Sequence, residues 1–146
     1  MLDFSECDRK FLFGGKPFMC GILMSAMLRY YEMSGDKEAL SVMGGLAHWL
    51  GYEMWDDEAK GFWYTDYMKM RNVHTYPANS MEIIEGLLDV YQRTGDRLLY
   101  DRAKEAFICA TNLEYREGDV GKTLAMRLRF APQALRMLCD GQDGIK

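Results

Sequence analysis

Apolar residues recur every three or four positions through "ILMSAMLRYYEMSGDKEAL" (Ile22–Leu40) and again through "EIIEGLLDVYQRTGDRLLY" (Glu82–Tyr100). That spacing places them on one side of a helix with 3.6 residues per turn. The two segments align at an offset of 60 residues. Leu23 matches Ile83, Met24 matches Ile84, Ala26 matches Gly86, Met27 matches Leu87, Leu28 matches Leu88 and Tyr31 matches Tyr91. Each copy then closes on Gly-Asp, Gly35–Asp36 and Gly95–Asp96. Glycine accepts the left-handed conformation found past a helix end, and the following Asp caps the next helix through its carboxylate. The pattern predicts two helical hairpins, with helices over 18–33, 37–51, 78–93 and 97–112.

The second helix of each pair has an apolar stripe of its own. Val42, Leu46, Trp49 and Leu50 form one; Leu99, Ala103, Ala106, Phe107 and Ala110 form the other. The small residues Gly44, Gly45, Ala47 and Ala103 are expected to let helices approach closely. Residues 52–77 make a long connection, the kind of segment in which function concentrates. Within it, "YEMW" and "FWYT" flank "DDEAKG", which predicts a short β-hairpin with Gly61 supplying the turn conformation. Downstream, "EGDVGKTLAMRLRF" reads as loop or partly extended chain. Pro132 suits the first turn of a closing helix, "APQALRMLC", which Gly141 ends.

At 146 residues, 49% apolar and 27% charged, the chain is expected to form one globular all-α domain over 1–146. A net charge of −4 provides no attraction to nucleic acid or anionic lipid. No apolar run is long enough to cross a bilayer. The opening "MLDFSECDRKFLF" lacks the basic start of a secretory signal, so a cytoplasmic location is expected. Cys7, Cys20, Cys109 and Cys139 have neither CxxC spacing nor a zinc pattern with His48 or His74, and read as buried free thiols. Four of the twelve methionines, Met19, Met24, Met27 and Met33, fall on or near the first helix and read as core filling. "GDVGKT" misses the phosphate-loop pattern because Arg116 stands where the first Gly is needed. The lone basic stretch "RLRF" has no matching patch elsewhere.

Candidate chemistry collects in 52–82. Asp56, Asp57, Glu58 and Asp66 lie on or beside the hairpin, with Asp57 and Glu58 at the turn. Asp66, after the aromatic stem, is the favoured acid. His74 in "RNVHTYP", beside Arg71 and Tyr76, suits an acid, a base or a hydrogen-bond partner. Asn79 and Ser80 read as the cap of the third helix, and Glu82 on its first turns is a further catalytic candidate. Trp55, Phe62, Trp63, Tyr64, Tyr67 and Tyr76 offer faces on which sugar rings stack. His48 reads as packing or an interhelical hydrogen bond.

The segments "YYEMSGDKEAL" and "VYQRTGDRLLYDRAKEAF" resemble the six-hairpin glycosidase superfamily, whose members form (α/α)6 toroids. "WDDEAKGFWYTD" is similar to the "WD...GGF" segments of related sugar epimerases and hydrolases, with Lys60–Gly61 in place of the glycine pair. The resemblance covers about residues 17–112. It implies a cleft on the side of the long 52–77 passage, with the Gly-Asp turns on the opposite face. It also implies a carbohydrate substrate. The residues expected to serve it, from their types and positions, are Asp66, His74 and Glu82 as catalytic groups and Trp63, Tyr64, Arg71 and Tyr76 as substrate contacts, with neither metal nor cofactor. The activity implied first is glycoside hydrolysis, which commonly uses two carboxyl groups. Sugar epimerase or polysaccharide lyase chemistry at His74, and a non-catalytic helical-repeat interaction module, are the alternatives. A closed toroid needs six hairpins and this chain shows about two and a half. It is therefore part of a larger enzyme, a short relative, or a unit that assembles with copies of itself. The terminal repeats of an open array expose apolar faces, so a self-association surface is expected.

Overall fold

The computed structural model describes residues 14–66, 74, 75, 77–112 and 120–142. It is an all-α structure with one small two-stranded sheet. Helix α1 (Pro17–Ser34) turns into α2 (Lys37–His48), which runs on through a π-helical turn (Trp49–Glu53). The strands β1 (Trp55–Asp56) and β2 (Gly61–Phe62) follow, then α3 (Pro77–Thr94), α4 (Arg97–Asn112) and α5 (Val120–Gln142). The four helices read from the repeat are all present, and the hairpin falls where the sequence placed it.

The Gly-Asp turns form as the sequence requires. Gly35 and Gly95 have φ of 70° and 75°. Their amides donate to Tyr31 O and Tyr91 O, each at 2.8 Å. Asp36 Oδ1 accepts from the Glu38 amide (2.9 Å), and Asp96 Oδ1 from the Leu98 amide (3.1 Å). Both aspartates are structural. The second turn is not remote from the long connection, however. The Tyr52 hydroxyl donates to Asp96 at 3.0 Å, and Gly51 lies against Leu99, so the end of α2 crosses to the start of α4.

Helix α3 is the centre of the molecule, flanked by α1, α4 and α5. Met81, Ile83, Ile84, Leu87 and Leu88 of α3 are fully buried, with Met24, Met43, Leu50, Leu99 and Tyr100 around them. Each such side chain contributes roughly 1.5–3 kcal/mol through burial. Helix α1 runs parallel to α3, since Gly21 meets Glu82 and Ile83, Met24 meets Gly86, and Arg93 lies over the Tyr31 ring. Close approach is set by Gly21 and Gly86. A Cβ at Gly44 or Gly45 would meet nothing within 4 Å, so these two do not serve the packing expected of them.

Four further expectations are corrected. The buried stripe of α2 is Ala39, Met43, Ala47 and Leu50, while Val42 is exposed. Met24 is buried, but Met19 and Met33 are exposed, Met33 by 89%. Residues 120–130 are helical rather than loop or extended, so Pro132 lies inside α5 instead of opening it. Helix α3 begins at Pro77, which puts Asn79 and Ser80 within its first turn rather than at its cap. Gly141 lies at the end of α5, pressed against the Tyr100 and Tyr91 rings where no side chain fits. Among the described residues no helix is long and apolar enough to cross a membrane.

Candidate functional site

The β-hairpin is the anchor of the site. Trp55 pairs with Phe62 and Asp56 with Gly61. Phe62 is fully buried, edge-on to Trp55 with ring centroids 5.0 Å apart. The turn's left-handed residue is Lys60 (φ 51°), not Gly61 as expected. Lys60 Nζ lies 3.1 Å from Glu105 of α4. Arg102 of α4 caps the other side of the turn. Its guanidinium sits 5.0 Å from the Trp55 ring centroid and hydrogen-bonds both oxygens of Asp57. These bonds hold the Asp57 carboxyl below the usual carboxylate range. Asp57 is therefore a clamp between hairpin and helix as well as a turn residue.

Asp56 organises the chemistry. Its Oδ1 accepts the amides of Glu58 (2.9 Å) and Ala59 (3.3 Å), which shapes the turn. Its Oδ2 accepts from His74 Nε2 at 2.8 Å. The hydrogen bond from His74 is the chief cause that lowers the Asp56 pKa, opposed by desolvation and helped by the two amides. Residues 74 and 75 extend the sheet: Thr75 donates from N–H to Phe62 O (2.7 Å) and from its hydroxyl to Trp63 O (3.0 Å). This pairing lays the His74 ring on the Trp63 indole, centroids 4.3 Å apart and planes inclined at 23°. The ring is thus fixed by stacking on one side and by a carboxylate at Nε2, and Nδ1 is its second proton-carrying position.

A depression of about 280 Å³ opens beside this pair. Lys60, Gly61, His74 and Thr75 line the hairpin side; Ser80, Ala106 and Cys109 line the helix side. It offers a cation, two hydroxyls, an imidazole and a thiol around a partly apolar floor. The opening suits a small polar ligand.

The other sequence candidates fall elsewhere. Asp66 is fastened to the start of α1: Gly15 N–H donates to Asp66 Oδ1 (2.8 Å) and Asp66 N–H donates to Gly15 O (3.2 Å). That clasp explains why a carboxylate follows the aromatic stem, and it gives Asp66 a tethering role. Tyr64 lies beside it, stacked on Phe18 at 6.0 Å with Lys16 Nζ 4.4 Å over its ring. Glu82 is buried on α3, where its backbone meets Gly21. Its carboxyl is not part of the His74 depression. Arg71 and Tyr76 lie outside the described residues. His48 is exposed and stacked on Tyr52 at 4.4 Å, one helical turn on, rather than packed between helices.

Sequence reasoning counted Asp56 among the hairpin carboxylates but missed its pairing with His74, and it missed Arg102. A strand aspartate two residues before a turn amide is a recognisable turn signal, but its bond to His74 spans 18 residues and has no local trace. The thiols Cys20, Cys109 and Cys139 are free, as expected, but Cys20 and Cys109 are only half-buried and Cys139 is exposed. Compared with known proteins, the chain matches no family model, no curated relative and no solved structure. The likeness to six-hairpin glycosidases accordingly rests on the quoted segments alone.

Proposed function

We propose that the chain is a carbohydrate-processing unit whose chemistry is centred on His74. The observation that carries this reading is the Asp56–His74 pair, 2.8 Å apart and stacked on Trp63, at the lip of the depression. A carboxylate that holds and orients an imidazole is the arrangement of a histidine acid–base catalyst. Indole, hydroxyls and a lysine beside it supply stacking and hydrogen bonding for a sugar.

Among the sugar chemistries, this geometry supports proton transfer at a sugar carbon, as in an epimerase or lyase, more than two-carboxylate hydrolysis. Asp56 is engaged by His74, Asp57 by Arg102 and Asp66 by Gly15. An acid–base pair flanking a glycosidic bond would need two of these freed from their partners. Lys60 at the rim would favour a uronate over a neutral sugar where the uronate displaces its exposed partner Glu105.

The test is titration with uronate and neutral oligosaccharides, followed through Trp63 fluorescence and calorimetry. Binding in the millimolar range or tighter is expected, stronger for the uronate, and lost in His74→Ala and Asp56→Asn. Asp66→Asn should leave binding intact while lowering stability. Absence of binding to every sugar, or binding that survives His74→Ala, would overturn the reading. A second reading, a non-catalytic helical-repeat module that binds a partner protein, is favoured by the exposed apolar faces of α1 and α5.

A further inference from the structure

The internal repeat makes the packing of the helices comparable position by position. Glu82, Ile83 and Gly86 of α3 face α1, with Arg93 above Tyr31 at the far end. Sixty residues earlier stand Ile22, Leu23, Ala26 and Met33 on α1, and all four are exposed. Among the described residues, the face on which α3 receives a neighbour is therefore bare on α1. The outgoing faces repeat in the same way. Tyr31 of α1 meets α3, and its counterpart Tyr91 of α3 meets α5, donating to Gly141 O at 3.3 Å. Helices α1, α3 and α5 are successive steps of one array, with α1 offering an unfilled receiving face.

The exposed residues of α1 have a specific spacing. Met19, Leu23, Ala26, Tyr30 and Met33 are separated by four, three, four and three residues, and every one is exposed and apolar. A repeat averaging 3.5 residues is the seam by which one helix packs along another. At the opposite end of the array, α5 carries the same kind of seam. Ala125, Leu128, Pro132, Leu135 and Cys139 are separated by three, four, three and four residues, and all are exposed, Leu128 by 68%. A helix that is apolar on its outer as well as its inner side is built to be covered.

We propose that the chain self-assembles head to tail, the outer seam of α5 in one copy lying along the receiving face of α1 in the next. A second copy is the occupant because this chain presents both halves of the contact. The pairing also continues the order α1, α3, α5 already seen within one molecule. A contact between two different faces either closes into a ring or propagates. This inference is independent of the carbohydrate reading.

The test is the solution mass by light scattering at tens of micromolar, with two surface variants. Leu23→Glu with Tyr30→Glu disables the α1 seam; Leu128→Glu with Leu135→Glu disables the α5 seam. All four positions are solvent-facing, so each variant should keep the helical circular dichroism of the parent. The parent should run at a multiple of 16.9 kDa, and each variant alone as a monomer. Mixing the two variants should restore a one-to-one complex, because one intact α5 seam then meets one intact α1 face. A monomeric parent would overturn the proposal. So would an assembly abolished by only one of the variants, or a mixture that fails to re-associate, since either would indicate a contact between like faces.

Discussion

Two glycine-to-alanine substitutions should change stability in opposite directions. At Gly21, an added Cβ would lie 2.5 Å from Glu82 O, 2.7 Å from Glu82 C and 2.9 Å from Ile83 Cα. All three are backbone atoms of a buried helix and cannot swing aside, so α1 must move off α3. Overpacking of this kind costs typically about 1–3 kcal/mol, and rigid neighbours place it at the upper end. Alanine returns about 1 kcal/mol through helix propensity. The net expectation for Gly21→Ala is a loss of about 2 kcal/mol. At Gly45 of α2 the same Cβ meets nothing within 4 Å, so only the propensity gain of about 0.5–1 kcal/mol applies. Urea unfolding followed by far-ultraviolet circular dichroism reads both, at protein concentrations low enough that association does not contribute. For a domain of this size the difference of about 3 kcal/mol corresponds to roughly 6–12 °C in Tm. If Gly21→Ala is neutral or stabilising, α1 does not pack on α3 through its glycine, and the repeat equivalence of their faces fails with it.

Three further outcomes are expected. The Asp56 carboxyl is depressed in the folded chain, so its contribution is complete above the unfolded carboxylate value of about 3.9 and is lost as pH falls through the lower folded value. Trp fluorescence should therefore report loosening of the hairpin below about pH 4, and Asp56→Asn should remove that step. Lys60 occupies left-handed backbone, so Lys60→Val should cost about 1–3 kcal/mol in thermal melts, whereas Lys60→Asn should fall within about 1 kcal/mol of the parent. Burial, aided by the negative charge of Asp66, raises the Cys20 thiol pKa, while Cys139 is exposed. In the monomer, held by dilution, a maleimide at neutral pH should label Cys139 well before Cys20, as read by peptide mass spectrometry.

The scaffold was legible because its signals are local. A 3.6-residue period, a Gly-Asp turn and its copy sixty residues on each depend on neighbours in sequence. The first half of α5 was not, because Gly118, Gly121 and Pro132 all speak for loop. Phe130 and Ala131 pack against the core and Ala134, Met137 and Leu138 are buried in it, so tertiary contacts on both sides of Pro132 carry the helix through it. At the site, His74 and Trp63 were legible as residue types, and the structure brings them together. The clasp of Asp66 was not legible, because the Gly15 amide that bonds its carboxylate lies 51 residues away. Asp57 similarly finds Arg102 only when α4 packs beside the hairpin.

The fastening of the long connection at both ends has a consequence for how such a protein changes over time. Asp66 is clasped to Gly15 at one end, and His74 and Thr75 are stitched to the hairpin at the other. These attachments are two fixed points in the framework. Doubling the length between fixed points adds only about 0.6 kcal/mol of closure cost. Changes of length between the two anchors therefore cost little, and the joining sequence can diversify while the helices and the Asp56–His74 pair are inherited unaltered.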